Sequence, residues 1–278
     1  MSAQPPPHLP PPHLPPPHFP PPHPALSPKG GEGTSREGTA LLDVRGVTKR
    51  FGGVVANKDI SFRVSHGELV GIIGPNGAGK STLFDVLTGF QPPDSGAVIL
   101  DGEPITSRRP DEISRRGVGR TFQKLKPFNQ MTVLENVMVG AFQKTGDPAE
   151  AHARALECLH QVGLKDKAQA HARVLSTGQR KRLEMARALA IRPRLLLLDE
   201  VTGGVDQGSI PGLIELVRAM NAGGVAMLVI EHNMRVIMGI SHRVVALHLG
   251  EVICDGPPQA VVNDRRVIEA YLGGAYAR

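Results

Sequence analysis

Two short segments of this chain carry residue types that can do chemistry together. The first is Gly74-Pro75-Asn76-Gly77-Ala78-Gly79-Lys80-Ser81-Thr82. Its glycines let the backbone wrap so that successive N–H groups point inward, an arrangement that holds phosphate oxygens. Lys80 offers a point charge to the β- and γ-phosphates of a nucleoside triphosphate, and Ser81 offers a hydroxyl to Mg2+. A lysine–phosphate pair at an effective dielectric of about 20 is worth roughly 4 kcal/mol before desolvation, more than any single backbone contact in such a loop. The second segment is Asp199-Glu200. The aspartate can hold Mg2+ through its waters. The glutamate, one residue later and pointing elsewhere, can orient and deprotonate an attacking water.

Each segment needs an element to position it. Leu69-Val70-Gly71-Ile72-Ile73 is an apolar, partly β-branched run that predicts a buried strand leading straight into the loop. After the loop, Leu83, Phe84, Val86, Leu87 and Phe90 recur at helical spacing, with Gly89 near the stop. Strand, glycine-rich loop and helix form the context of a P-loop. That context says "nucleoside triphosphate" and does not choose among a GTPase, a kinase and a transport ATPase. Leu195 to Leu198 predict a strand buried on both faces that delivers Asp199 and Glu200 to its C-terminal end, where ligands bind in open α/β sheets. A buried strand ending in acids is common, and this one gains meaning only from the loop upstream of it.

Between the two lies Leu175-Ser176-Thr177-Gly178-Gln179. Ser176 with Gln179 predicts a capping box at a helix start, with Leu183, Ala186 and Ala190 on one apolar face and Pro193 ending the helix. A second capped helix start bearing Ser and Gly can bind another phosphate. Since one cradle is already present, the inference is that this helix serves the nucleotide of a partner subunit.

The remainder of the sequence sets bounds. With 278 residues the chain is long enough for one large domain, or a domain with a tail. Pro5 to Pro24 repeats a five-residue Pro-Pro-Pro-His-Leu-like unit, which favours polyproline II and cannot pack a core. Residues 1–39 are therefore expected to be a disordered tail and linker, and His8, His13, His18 and His23 lack the other ligand types of a metal site. Cys158 and Cys254 have no partner spacing and read as buried or half-buried thiols in a reducing compartment. No run approaches the ~20 apolar residues that cross a bilayer, and the N-terminus lacks the layout of a secretory signal. The formal net charge of +6 suits nucleotide, anionic lipid or nucleic acid equally. With no Trp and two Tyr, little aromatic surface is available to stack single-stranded nucleic acid. The basic clusters Arg108-Arg109, Arg115-Arg116, Arg180-Lys181-Arg182 and Arg192 with Arg194 read as solvated faces.

Read in order, these segments resemble the nucleotide-binding domain of ABC transporters. Leu175 to Gln179 matches the family signature Leu-Ser-x-Gly-Gln, and the resemblance runs from about Leu41 to the C-terminus. It implies an α/β P-loop NTPase domain over residues 40–278, with an inserted helical subdomain at about 122–189 and a small antiparallel β portion. It also implies roles for Phe51 (stacking on adenine), Gln123 (sensing Mg2+ and the membrane subunits), Asp206 (the D-loop aspartate) and His232, which follows the expected strand Val225–Ile230 and contacts the γ-phosphate. ATP and Mg2+ are the implied ligands. Lys80, Glu200 and His232 would be catalytic; Ser81, Gln123 and Asp199 would serve the metal; Gly74 to Thr82, with Ser176, Gly178, Gln179 and Asp206, would complete the nucleotide sites of a dimer.

Finer features resemble the branched-chain amino acid uptake ATPases: Arg120-Thr121-Phe122-Gln123, Lys124 to Phe128, Met131 to Val137, Ile230 to Ser241, and the ending Val267 to Gly273. That branch implies a second ATPase subunit, identical or different, two membrane-spanning permease subunits and, indirectly, a solute-binding protein. It places the chain peripherally on the cytoplasmic face of a bacterial inner membrane, with no nucleic acid partner. Amides and urea are related solutes. The rival reading from another class is a soluble ABC-type ATPase acting on nucleic acid or ribosomes, although neither a second cassette nor a zinc or coiled-coil insertion is visible. One departure stands out. Where the family usually has Pro after Glu200, this chain has Val201, which is expected to loosen the segment Val201-Thr202-Gly203-Gly204-Val205-Asp206.

Overall fold

Three strands organise the chain: β3 (Leu69–Ile73), β7 (Leu195–Asp199) and β8 (Ala226–Ile230), apolar throughout but for the terminal Asp199 and buried at every residue. The computed structural model describes residues 40–122 and 127–276, with side chains through Leu272. The Pro/His repeat and Gln123 lie outside the described residues. With β6 (Val118–Arg120), β9 (Arg243–His248) and β10 (Glu251–Gly256) the three strands form a sheet ordered β10-β9-β3-β8-β7-β6, parallel except for antiparallel β10 at one edge. β8 begins one residue later than the sequence suggests. Such a sheet must be covered on both faces, and the period-two alternation of each strand divides its side chains between two cores. Leu196, Leu198, Met227 and Val229 join one core; Leu195, Leu197, Leu228 and Ile230 join the other.

The second core is closed by α1 (Lys80–Leu87), through Leu83, Phe84, Val86 and Leu87, and by a four-stranded antiparallel sheet. That sheet comprises β1 (Leu42–Phe51), β2 (Val54–Val64), β4 (Ser95–Leu100) and β5 (Glu103–Pro104), in the order β2-β1-β4-β5. The first core is covered by α6 (Ile210–Ala222) and α7 (Met234–Ile240), and extends into three mutually packed helices. These are α3 (Val133–Ala141), α4 (Pro148–Gln161) and α5 (Thr177–Ala190). Thr132 and Glu135 cap α3 reciprocally, and Ser176 and Gln179 do the same for α5. The predicted apolar face of α5, Leu183, Ala186 and Ala190, is buried. Both cysteines are free thiols, Cys158 buried and Cys254 half-buried.

The basic cluster on α5 is not a solvated face, contrary to expectation. Lys181 is buried and donates to the Glu200 carbonyl at 2.6 Å. Arg182 donates to the Val162 carbonyl at 2.8 Å, and Arg180 to those of Leu175 (3.0 Å) and Arg173 (2.9 Å). The long aliphatic stems cross the helix surface, and the charged ends satisfy carbonyls left over at loop and helix ends.

Glu184, on the same helix, borders a cleft of about 190 Å3 shared with Arg120, Phe122, Val139 and Arg187. Its Oε1 accepts from the Phe122 N–H at 3.3 Å, while Oε2 is buried with no hydrogen-bond partner among the described residues. Burial pushes this carboxyl from its ordinary 4.5 up to about 7. The folded chain therefore binds more protons than the unfolded one between these values. The stability Glu184 contributes is present below its ordinary value and is lost as pH rises through the folded one. Glu184→Gln, which keeps the bond from Phe122 and removes the charge, should melt higher than the wild type at about pH 8, with the gap shrinking towards about pH 5. Thermal melts of both proteins across that range check the sign.

Candidate active site

The parallel register places three strand ends side by side: Ile72 of β3 lies opposite Ile230 of β8, and Asp199 of β7 lies opposite the same residue. The loops that follow carry Gly74 to Gly79, Glu200 and His232. They open onto one cavity of about 510 Å3, within the range of small-molecule sites. Residues Asn76 to Thr82, together with Asp199, Glu200 and His232, form its polar walls.

The loop is held from several directions. Gly79 has φ +96°, and a Cβ there would lie 2.2 Å from the Ala56 carbonyl oxygen, so β2 presses directly on its backbone. Fully buried Asn57 donates to the Gly79 carbonyl at 3.1 Å. Gly74 has φ +149° and is packed as tightly against the Leu247 carbonyl of β9, where a Cβ would also fall at 2.2 Å. Its N–H donates to the hydroxyl of Tyr271, on the C-terminal helix α9 (Arg265–Tyr276), at 2.8 Å. Lys80 opens α1, and its ammonium donates to the carbonyls of Gly74 at 2.6 Å and Pro75 at 3.0 Å. Two of its three N–H groups bridge the loop, which leaves one for a phosphate oxygen. Burial lowers the lysine pKa from its usual range, opposed by the carboxylates of Glu200 and Asp199.

Asp199 ends β7 with its side chain almost fully buried. Its N–H donates to the Thr121 hydroxyl at 3.1 Å, and a carboxylate oxygen lies 3.8 Å from the Arg120 guanidinium. Burial pushes this carboxyl above its usual range and Arg120 opposes the shift, so an added cation beside it would be favoured. Glu200 follows in the left-handed region, φ +52°, an uncommon conformation for a glutamate that the surroundings must enforce. Its N–H donates to the Ile230 carbonyl at 2.9 Å, and its carbonyl accepts from Lys181. The turn brings its Oε1 to 3.2 Å from Nε2 of His232. Among the described residues, no cluster of three or more His, Cys, Asp or Glu side chains could hold a metal by itself.

The structure does not bring every predicted site residue here. Gly74 and Pro75 shape the loop from behind rather than line the cavity. Phe51 stands exposed at the end of β1, outside the cavity walls, with the Lys49 ammonium 5.3 Å from its ring centroid. Three residues on, Val54 lines the cavity, as does exposed Leu249 across from it. Ser176, Gly178, Gln179 and Asp206 also lie outside these walls. A Cβ on Gly178 would meet the Ser209 side chain at 3.2 Å, and Ser209 is bonded through N–H and hydroxyl to the Asp206 carboxylate at 3.0 and 2.8 Å. The start of α5 and the Asp206 turn thus pack together outside the lining of the cavity around Lys80.

A glycine-rich loop between β3 and α1, sharing one cavity with an Asp-Glu pair at the end of β7, one strand removed across β8, defines a P-loop nucleoside triphosphatase. Comparison with known proteins narrows the class. Residues 57–203 match the family described as ABC transporter, and residues 251–277 match the one described as branched-chain amino acid ATP-binding cassette transporter. The chain is 38% identical over 253 residues to the high-affinity branched-chain amino acid transport ATP-binding protein BraF of Pseudomonas aeruginosa, covering 84% of this chain and 98% of that protein. It is 38% identical over 251 residues to the corresponding protein LivG of Escherichia coli K12, with the same coverage of each chain. It superimposes on a crystal structure of an ABC-transporter ATP-binding cassette in its ADP conformation with a TM-score of 0.77 and 31% identity, covering 84% of this chain and 99% of that one. The chain belongs to the ATP-binding cassette family of ABC transporters. It binds ATP and is an ATPase.

Residues that the sequence reading passed over include Asn57, Lys181, Tyr271 and Arg120. Arg120 donates to Asp85 at 2.6 Å and lies 5.0 Å from the Phe122 ring centroid. Arg120, Lys181 and Tyr271 stand in segments quoted above, but none of the four is given a role there. Replacing Lys80 by Ala should weaken ATP binding by at least roughly tenfold, because a charge-assisted phosphate contact is lost. Titration with a fluorescent ATP analogue measures it.

Proposed function

We propose that this chain is the ATP-hydrolysing subunit of an importer for branched-chain amino acids or a related small polar solute such as an amide or urea. The observation that carries the reading is the division of its polar groups between two surfaces. Lys80, Asp199, Glu200 and His232 line one cavity, while the capped start of α5, with Ser176 and Gly178, lies outside that lining. A helix start bearing free N–H groups suits a phosphate, and a second cassette placed face to face would supply one. Each of two ATP molecules would then lie between Lys80, Asp199, Glu200 and His232 of one subunit and Ser176, Gly178 and Gln179 of the other, with Asp206 at the seam. Val54 and Leu249, apolar residues of the cavity lining, suit the adenine, with Phe51 three residues before Val54 as the stacking aromatic on the implied pattern.

Within each site Lys80 would neutralise the β- and γ-phosphates, and Glu200 would take a proton from the attacking water. His232, held near Glu200, would face the γ-phosphate. The donor set fits Mg2+: Ser81 and Asp199 present hard oxygens, and too few carboxylates gather to hold a divalent ion without the nucleotide's own oxygens. When bound, Mg2+ would offset phosphate charge, with Gln123 as a further ligand on the implied pattern. Closure around ATP would move two permease subunits, and hydrolysis would reset them. The helical subdomain is assigned to residues 122–189, where α3 to α5 lie, and the Pro/His tail to residues 1–39.

No helix among the described residues is long and apolar enough to cross a membrane. Transport thus calls for membrane-spanning partners, and a peripheral place on the cytoplasmic face of a bacterial inner membrane follows from the reading. The names of the relatives support the choice of solute, as does the match of residues 251–277.

Glu200→Gln should lower ATP turnover by roughly 10²–10⁴ while ATP still binds. Loaded with Mg-ATP, the variant should also form a stable dimer with its cognate ATPase. Steady-state ATPase assays and light scattering after gel filtration test both. Turnover at the wild-type rate, or a chain that stays monomeric, overturns the reading.

A further inference from the structure

One buried acidic side chain has no part in the scheme above. Glu231 immediately precedes His232, is 3% exposed, and has no cation within ion-pairing distance among the described residues. Both of its oxygens go to a single residue across the site. Oε1 accepts from the Thr202 N–H at 2.6 Å and Oε2 accepts from the Thr202 hydroxyl at 3.0 Å. Thr202 is buried as well, and lies two residues after Glu200. Burying a carboxyl group is costly, and the cost is offset only where both oxygens find donors. Here the donors come from the loop that carries the hydrolytic glutamate.

The position of this pair is what gives it a role. Glu200 and His232 meet at 3.2 Å, the Glu200 N–H bonds to the Ile230 carbonyl, and the Thr202–Glu231 pair lies just beyond them on the same two loops. The loops are thus tied behind as well as beneath the catalytic pair. Val201, between Glu200 and Thr202, is 4% exposed and packed into the core shared by α5 and α6. A valine fixes φ far less than a proline does, so the segment depends on its side-chain anchors. Glu200 needs such anchors, since its left-handed backbone would relax if the turn were free.

We propose that Glu231 is a positioning residue for hydrolysis: by clamping Thr202 it holds the Glu200 turn and sets the spacing between Glu200 and His232. Glu231 is buried and absent from the lining of the cavity around Lys80, so its effect is exerted through Thr202. The proposal rests on the assignment of Glu200 as the base, and it adds that the loop beyond Glu200 is fixed by the residue before His232.

The test uses the full-length chain together with the cognate subunits that copurify with it. Glu231→Ala removes both acceptors and should lower kcat by roughly 10- to 100-fold through misplacement of Glu200, with the Kd for ATP changed by no more than about twofold. Glu231→Gln should keep near wild-type turnover, because its amide oxygen still accepts from the Thr202 N–H and its NH2 group can donate to the hydroxyl. Thr202→Val should lower kcat less than Glu231→Ala, and Thr202→Ser should restore it. This split between kcat and Kd, with rescue by the conservative variants, is not what a general loss of folding would produce. If Glu231→Ala fails to fold, Thr202→Val and Thr202→Ser decide the matter. The proposal is overturned if Glu231→Ala or Thr202→Val turns over like the wild type, or if binding and turnover fall together in Thr202→Val. Its failure is separable from that of the underlying reading. A fast Glu200→Gln sinks the base assignment, whereas a slow Glu200→Gln beside a fast Glu231→Ala sinks only the clamp.

Discussion

The in-register parallel pairing of β3, β8 and β7 is the constraint on which the structure depends. Each strand is buried on both faces, so each contributes alternate residues to two separate cores, and neither core closes without the other. Parallel pairing sends all three C-terminal ends the same way, and a shift of one residue in any strand would exchange its two cores. Hydrophobic burial therefore sets the position of Gly74, Glu200 and His232 to within the spacing of neighbouring strands. The polar site inherits its geometry from apolar packing.

Charge is handled at the same edge by local pairing. Lys80 rests on two loop carbonyls, Arg120 bridges towards Asp85 and Asp199, and Lys181 holds the Glu200 carbonyl. Several of these groups are shielded from water, where electrostatic interactions are stronger and an unpaired charge costs more. Asp199 shows the balance: burial disfavours its charge, and Arg120 offsets only part of that. A site arranged this way is suited to the multiple charges of a triphosphate and its cation. Beyond the pocket, the tie from Tyr271 to the Gly74 N–H makes the C-terminal helix part of the loop's support. That helix lies in the segment matched to the branched-chain amino acid cassette family, so a branch-specific part of the chain touches the most general element of the fold.

Much of this was legible without coordinates, for reasons that differ from residue to residue. Leu195 to Leu198, a short apolar run ending in acids, read as a buried strand, and the capping box of Ser176 with Gln179 is a local hydrogen-bond pattern written in four residues. The glycine loop was legible because a positive φ and close backbone approach restrict the residue type. Other features were misread or missed. Arg180, Lys181 and Arg182 looked like a solvated charge run, yet Arg180 donates to the nearby Leu175 carbonyl, and Lys181 and Arg182 to the more distant carbonyls of Glu200 and Val162. The bonds between Thr202, two residues after Glu200, and Glu231 are invisible in linear order and were missed.

By itself the sequence determined the class of chemistry and the elements that carry it, because phosphate binding, helix capping and strand burial are governed by neighbours within a few residues. Tertiary structure alone decided which distant groups meet. It paired Glu200 with His232, placed Tyr271 behind Gly74, and left Ser176 outside the lining of the cavity formed by its own chain. Those outcomes depend on strand order and on side chains reaching across the sheet edge, and no local pattern of residues encodes either.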